Sequence, residues 1–152
     1  MKEPIVSRIL KSFLYIVFVL GIAGTVTLPF MLETYTGYFY DSYYLQPGYR
    51  SFIIPFLMSV AALGLWIIAE MIWMLNSIPK GPFVIRNVRA LGRIGVILLS
   101  LSLIFFLKCF MYATFLTMGC GFLFLIGGLF AFTLANLFSQ AVAYKEENDL
   151  TI

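Results

Sequence analysis

The sequence contains no histidine, only two cysteines and few charges: 11% of its residues are Asp, Glu, Lys or Arg. Without histidine, the commonest general base and the commonest metal ligand are both missing. Cys109 and Cys120 stand in apolar surroundings, eleven residues apart, form no CxxC pair and have no histidine nearby. A zinc site and an activated thiol are therefore not expected. HExxH and P-loop motifs are absent, as are paired carboxylates within an apolar run. No catalytic residue, metal ligand or cofactor can be nominated, and the chain is read as a non-enzyme. A soluble domain carries about 25% charged residues, and a chain this short and this poor in charge cannot cover a globule with polar surface. That excludes an ordinary cytosolic enzyme, a disordered tail and a disulfide-stapled secreted domain.

Apolar sequence fills the space. Of the 152 residues, 62% are hydrophobic, and the mean hydropathy is +0.99. A bilayer core of about 30 Å takes roughly 20 apolar residues as helix. Four stretches qualify: 12–31, 52–75, 94–112 and 117–138. They are continuous rather than alternating, so helices are expected and not barrel strands. The last two are separated by only a few residues near Ala113–Leu116. Lys2, Arg8 and Lys11 precede the first stretch as in a signal peptide. Its apolar core is too long for one and Gly21-Ile22-Ala23 is a weak cleavage match, so an uncleaved helix is read.

The basic residues set the orientation. With the N-terminus inside, Lys2, Arg8, Lys11, Lys80, Arg86, Arg89, Arg93 and Lys145 are cytoplasmic, and only Arg50 and Lys108 lie outside. The expected fold is an all-α, multi-pass antiparallel four-helix bundle with both termini cytoplasmic. The outer loop Leu32–Ser51 holds Tyr35, Tyr38, Tyr40, Tyr43, Tyr44 and Tyr49. Tyrosine favours the headgroup layer, so the loop is either an aromatic belt or a ligand-sensing surface.

Three segments and one buried acid are the candidates for function. In the cytoplasmic loop, Pro79 and Gly81 break the second helix and Pro82 suits the first position of a short amphipathic helix over 82–92. Phe83, Val84, Val88 and Leu91 fall on one side and Arg86, Arg89 and Arg93 on another. Such a helix can lie flat with its arginines on lipid phosphates. Arg86, Asn87, Arg89 and Arg93 either anchor the chain or dock a partner. The tail, 139–152, gathers Glu146, Glu147, Asp149, Leu150 and the terminal Ile152 carboxylate. It either solvates the helix end or binds a basic partner. The fourth span carries small residues every fourth position, at Gly127, Ala131, Ala135, Ser139 and Ala143. That stripe serves packing within the bundle, homo-oligomerisation or docking of a partner helix.

Glu70 is the one acid inside a span, and such residues are functional candidates by default. By depth it falls level with Arg93 and Asn136. An ion pair with Arg93 or a hydrogen bond to Asn136 is the structural expectation, with a proton-linked or gating role as the alternative. Lys108 lies at the opposite depth and is expected to snorkel toward Glu33 or water. No repeat or interrupted helix of the kind found in transporters stands out.

Two motifs resemble one family, the small bacterial membrane proteins of domain of unknown function 2975. The first is PFxxxNxxxLxRIG, carried by Pro82, Phe83, Asn87, Leu91, Arg93, Ile94 and Gly95. The second is the terminal EENDLTI, Glu146 to Ile152. The sequence departs from the pattern at Gly92, where a basic residue is common, and at Arg86, where an acid is common. Members have no assigned activity and are often encoded beside a small helix-turn-helix regulator. The resemblance implies a regulator that holds such a DNA-binding partner at the membrane without contacting nucleic acid itself. Glu146, Glu147, Asp149 and the terminal carboxylate would occupy the partner's basic face. The competing class is a small transporter or an immunity or stress-response membrane protein.

Overall fold

The computed structural model describes residues 5–35, 48–77 and 84–150. The tyrosine-rich stretch 36–47, the Pro79–Pro82 breakers and Ile152 lie outside the described residues. Four helices follow one another: α1 (Ile5–Tyr35), α2 (Tyr49–Ser77), α3 (Ile85–Met111) and α4 (Phe115–Leu150). Each is long and apolar enough to cross a bilayer. In lipid the backbone can satisfy its N–H and C=O groups only within itself, which is why each apolar run becomes one unbroken helix. Pro29 and Pro55 are absorbed within α1 and α2. Near them, side-chain hydroxyls bond back to the preceding turn: Thr25 to the Gly21 carbonyl at 2.7 Å and Ser59 to the Pro55 carbonyl at 2.7 Å.

The join between the third and fourth spans is a tight turn. α3 ends as Tyr112 takes an extended φ of −140° and donates its N–H to the Lys108 carbonyl at 2.7 Å. α4 starts after Thr114, whose carbonyl accepts from Met118 at 3.1 Å. The turn therefore falls within the interval read from the sequence.

The helices pack in serial order. α1 lies on α2, α2 on α3, and α3 most extensively on α4; among the described residues α1 touches neither α3 nor α4. Neighbours are antiparallel. Along α3 and α4, Lys108 meets Thr117, Ser102 meets Gly121 and Gly95 meets Phe132. Along α2 and α3, Phe56 meets Phe105 and Glu70 meets Arg93. Along α1 and α2, Gly21 meets Leu65, and Leu28 and Met31 line one groove with Leu57, so the start of α1 and the end of α4 lie at one end of the bundle. The turn between α3 and α4 marks the other.

The four-residue stripe on α4 coincides only in part with the packing face. The buried residues are Thr117, Gly121, Gly128, Ala131, Ala135 and Val142, with Phe124 and Phe138 half-buried between them. Four of these, 121, 128, 135 and 142, recur every seven residues, which is the period of a left-handed helix pair. Ser139 and Ala143 are exposed and Gly127 is half-buried. A four-residue step turns about 40° past a full circle of an α-helix, so a stripe of that period winds off any straight contact. Ala131 and Ala135 belong to both patterns. The contact is close: a methyl on Gly128 would sit 2.8 Å from Leu99 Cδ2 and 3.2 Å from the Gly95 carbonyl oxygen. In lipid, apolar contact brings no hydrophobic gain, so small residues that admit the opposing side chain decide where helices meet.

The interfacial helix expected over 82–92 is instead the opening of α3, which runs unbroken from Ile85 to Met111. Nothing between Leu91 and Gly95 ends a helix, since glycine without a following proline is tolerated there. The basic stretch stands upright with the span rather than flat beside it.

Candidate functional site: a polar seam between α2 and α3

On α2, Trp66, Glu70, Trp73 and Ser77 are spaced by four, three and four, and so form one stripe along the helix. On α3, Arg86 and Arg93 are seven apart, two turns along one face, and Asn87 neighbours Arg86. The antiparallel packing sets these stripes against each other. Arg93 grips Glu70 with both arms of its fork: Nε donates to Oε1 at 2.6 Å and Nη2 to Oε2 at 2.7 Å. Trp66 Nε1 donates to Oε1 over 3.4 Å. The Glu70 side chain is 5% exposed and that of Arg93 42%. Paired bonds of this kind are the strongest type and fix orientation as well as distance.

Nearer the helix ends, the Arg86 guanidinium lies 5.4 Å from the Trp73 ring centroid. The Ser77 hydroxyl lies 2.6 Å from the buried Asn87 carboxamide and donates to the Met74 carbonyl at 2.6 Å. Trp66 and Trp73 remain 54% and 55% exposed; Trp73 lies one turn from the end of α2, where indole rings favour the membrane boundary. The seam is a clamp between α2 and α3 in which every charge is partnered or stacked.

Of the two partners expected for Glu70, the structure brings in Arg93. Asn136 is exposed on α4, a helix that does not reach α2. Arg86 and Arg93 lean on α2 rather than outward in a row, and Arg89 alone of the three stays exposed without a described partner on α2. The tail residues Glu146 and Glu147 are exposed on the last turns of α4, far along the helix from the seam, and Asp149 lies on the same turns. The tryptophans and Ser77 were not singled out from sequence, although the stripe they share with Glu70 is legible there.

Lys108 departs from expectation. It does not snorkel outward; it is 9% exposed and turns inward to the start of α4. Its Nζ donates to Thr117 Oγ1 at 2.7 Å and approaches Thr114 Oγ1 at 3.5 Å. The two threonine hydroxyls bond each other, and the ammonium lies 5.5 Å from the Phe56 ring centroid. The tight turn is the cause: it returns α4 so soon that hydroxyls lie nearer to Lys108 than water does. Around this node the rings of Tyr49, Phe52, Phe56, Phe105, Tyr112 and Phe124 make edge, tilted and, between Phe52 and Phe56, stacked contacts at 4.9–6.2 Å.

No group of three or more metal-ligating side chains occurs among the described residues. No curated protein and no solved structure matches the chain. Both sides of the seam, and all four helices but the first turn of α1, fall within residues 9–152, which match the family described as protein of unknown function (DUF2975), and the chain belongs to that family.

Proposed function

We propose that this chain is a non-catalytic membrane regulator that displays the end of α4 to a cytoplasmic partner. The observation that carries this reading is the length of α4. Its 36 residues reach about 54 Å, well beyond a hydrocarbon core of about 30 Å. Val142 is the last buried residue, and Ala143 to Asn148 are all exposed. The helix therefore continues outside the packed spans and carries Glu146, Glu147 and Asp149 at its C-terminal end, where there is no basic residue in the last turn. Acids at the negative pole of a helix are unfavourable by about 0.3–1 kcal/mol each. A cationic surface docked there relieves that repulsion. The excess of Lys and Arg on the same side favours the cytoplasmic face of a bacterial inner membrane.

The basic face of a small helix-turn-helix protein is a partner of the right charge, and nucleic acid itself is of the wrong one. The seam supports the same reading over a transporter. A proton-linked carboxylate must release its partner in each cycle, and Glu70 is held by both arms of one arginine. The test is copurification of the full chain from native membranes in mild detergent. The intact chain is expected to retain a soluble basic partner, and the chain carrying Glu146→Ala, Glu147→Ala and Asp149→Ala to lose it. Absence of any soluble partner on the intact chain defeats the proposal, and so does equal retention by both chains.

A further inference from the structure

Beside the α3–α4 turn, the start of α2 and the end of α3 form a groove of about 240 Å³ that opens outward from the bundle. Its walls are Phe52, Pro55, Phe56, Ile104 and Leu107, with Ser59 at one end and Lys108 at the other. Two properties of this groove belong together. Its walls are almost wholly apolar, and the Ser59 hydroxyl is already bonded to the Pro55 carbonyl. Its one cation is buried, one turn from the end of α3, and has two hydroxyls and a ring face for neighbours but no carboxylate among the described residues. An ammonium has three N–H donors and no acceptor. The two threonines take two of them, the second over a long 3.5 Å. With Lys108 only 9% exposed, an anionic acceptor beside the ammonium is favoured.

We propose that the groove holds an anionic phospholipid, its headgroup phosphate on Lys108 Nζ and an acyl chain along Phe52, Phe56 and Ile104. Depth favours this occupant. Lys108 and Thr117 lie at the helix ends beside the tight turn, at headgroup level, and Ser59 and Ile104 lie deeper, at the level of the chains. The site is thus amphipathic in the same sense as a lipid of that leaflet. Free phosphate would find the charge but not the apolar walls. A neutral apolar ligand would find the walls but leave the charge unmet.

The test uses the full chain in mild detergent, titrated with phosphatidylglycerol and with diacylglycerol of identical acyl chains, which lacks the phosphate, and bound lipid is counted by native mass spectrometry. The wild-type chain is expected to retain phosphatidylglycerol about tenfold more tightly, the scale of one charge-assisted hydrogen bond. Lys108→Gln keeps a hydrogen bond to Thr117 and is expected to lose that preference. Ser59→Trp fills the groove from its exposed end without touching Lys108, and is expected to weaken retention of phosphatidylglycerol several-fold. Equal retention of both lipids by the wild-type chain overturns the proposal. An undiminished preference in Lys108→Gln, or undiminished phosphatidylglycerol binding in Ser59→Trp, does the same. Inorganic phosphate is expected not to displace the lipid; displacement at equal concentration would assign the site to a free anion and overturn the lipid reading.

Discussion

Breaking the Glu70–Arg93 pair is expected to reveal an asymmetry between its members. Removing one partner of a fully buried pair costs about 3–5 kcal/mol. Polar contacts between membrane helices average only about 0.6 kcal/mol, because the separated helices find other partners. The exposures decide where this pair falls. With Glu70 changed to Gln, Arg93 is 42% exposed and can swing to the headgroups, so the cost should be about 1 kcal/mol. With Arg93 changed to Gln, the Glu70 carboxylate is 5% exposed, short and two turns from the helix end, so it stays uncompensated. That variant should lose about 2–3 kcal/mol. The double variant leaves two neutral amides that bond each other and should lose about 2 kcal/mol, less than the sum. The coupling is then about 1–2 kcal/mol. Reversible unfolding of the full chain in mixed micelles, followed by circular dichroism, measures all four corners of the cycle. A coupling below about 0.5 kcal/mol, or a larger loss for Glu70→Gln than for Arg93→Gln, would refute the clamp.

Other outcomes follow from the packing. Gly128→Ala drives a methyl into Leu99 and should destabilise by about 1–3 kcal/mol. Gly92→Ala meets nothing within 4 Å and should be neutral or stabilising by up to about 1 kcal/mol in the same unfolding assay. Ser102→Ala removes the buried interhelical bond to the Gly121 carbonyl at 2.8 Å and should cost about 0.6–1 kcal/mol. With Cys109 and Cys120 replaced by serine, a cysteine at Gly48 should react with an impermeant maleimide in intact cells. One at Tyr144 should react only after lysis; the reverse pattern would invert the proposed orientation.

Much of this protein was legible one residue after another. The number of spans, their helical nature and the tight turn near Ala113 all follow from one local rule. Each segment must satisfy its own backbone in lipid, and hydropathy reports that segment by segment. The Glu70–Arg93 pair was legible too, because depth in a bilayer can be counted along a helix. What the tertiary structure decided was which faces meet. In water, the buried side of a helix is marked by the contrast between apolar and polar residues. In lipid that contrast vanishes, since the solvent is as apolar as the core. The seven-residue series on α4 is therefore invisible to hydropathy, and is set by where Gly128 and Ala135 let α3 approach. Likewise the inward turn of Lys108 depends on Thr114 and Thr117 returning from the next helix, and the upright stance of Arg86 and Arg93 depends on Trp73 and Glu70 waiting on the previous one. A charged side chain in a membrane goes to the nearest polar group, and nearness across helices is a property of the packed chain alone.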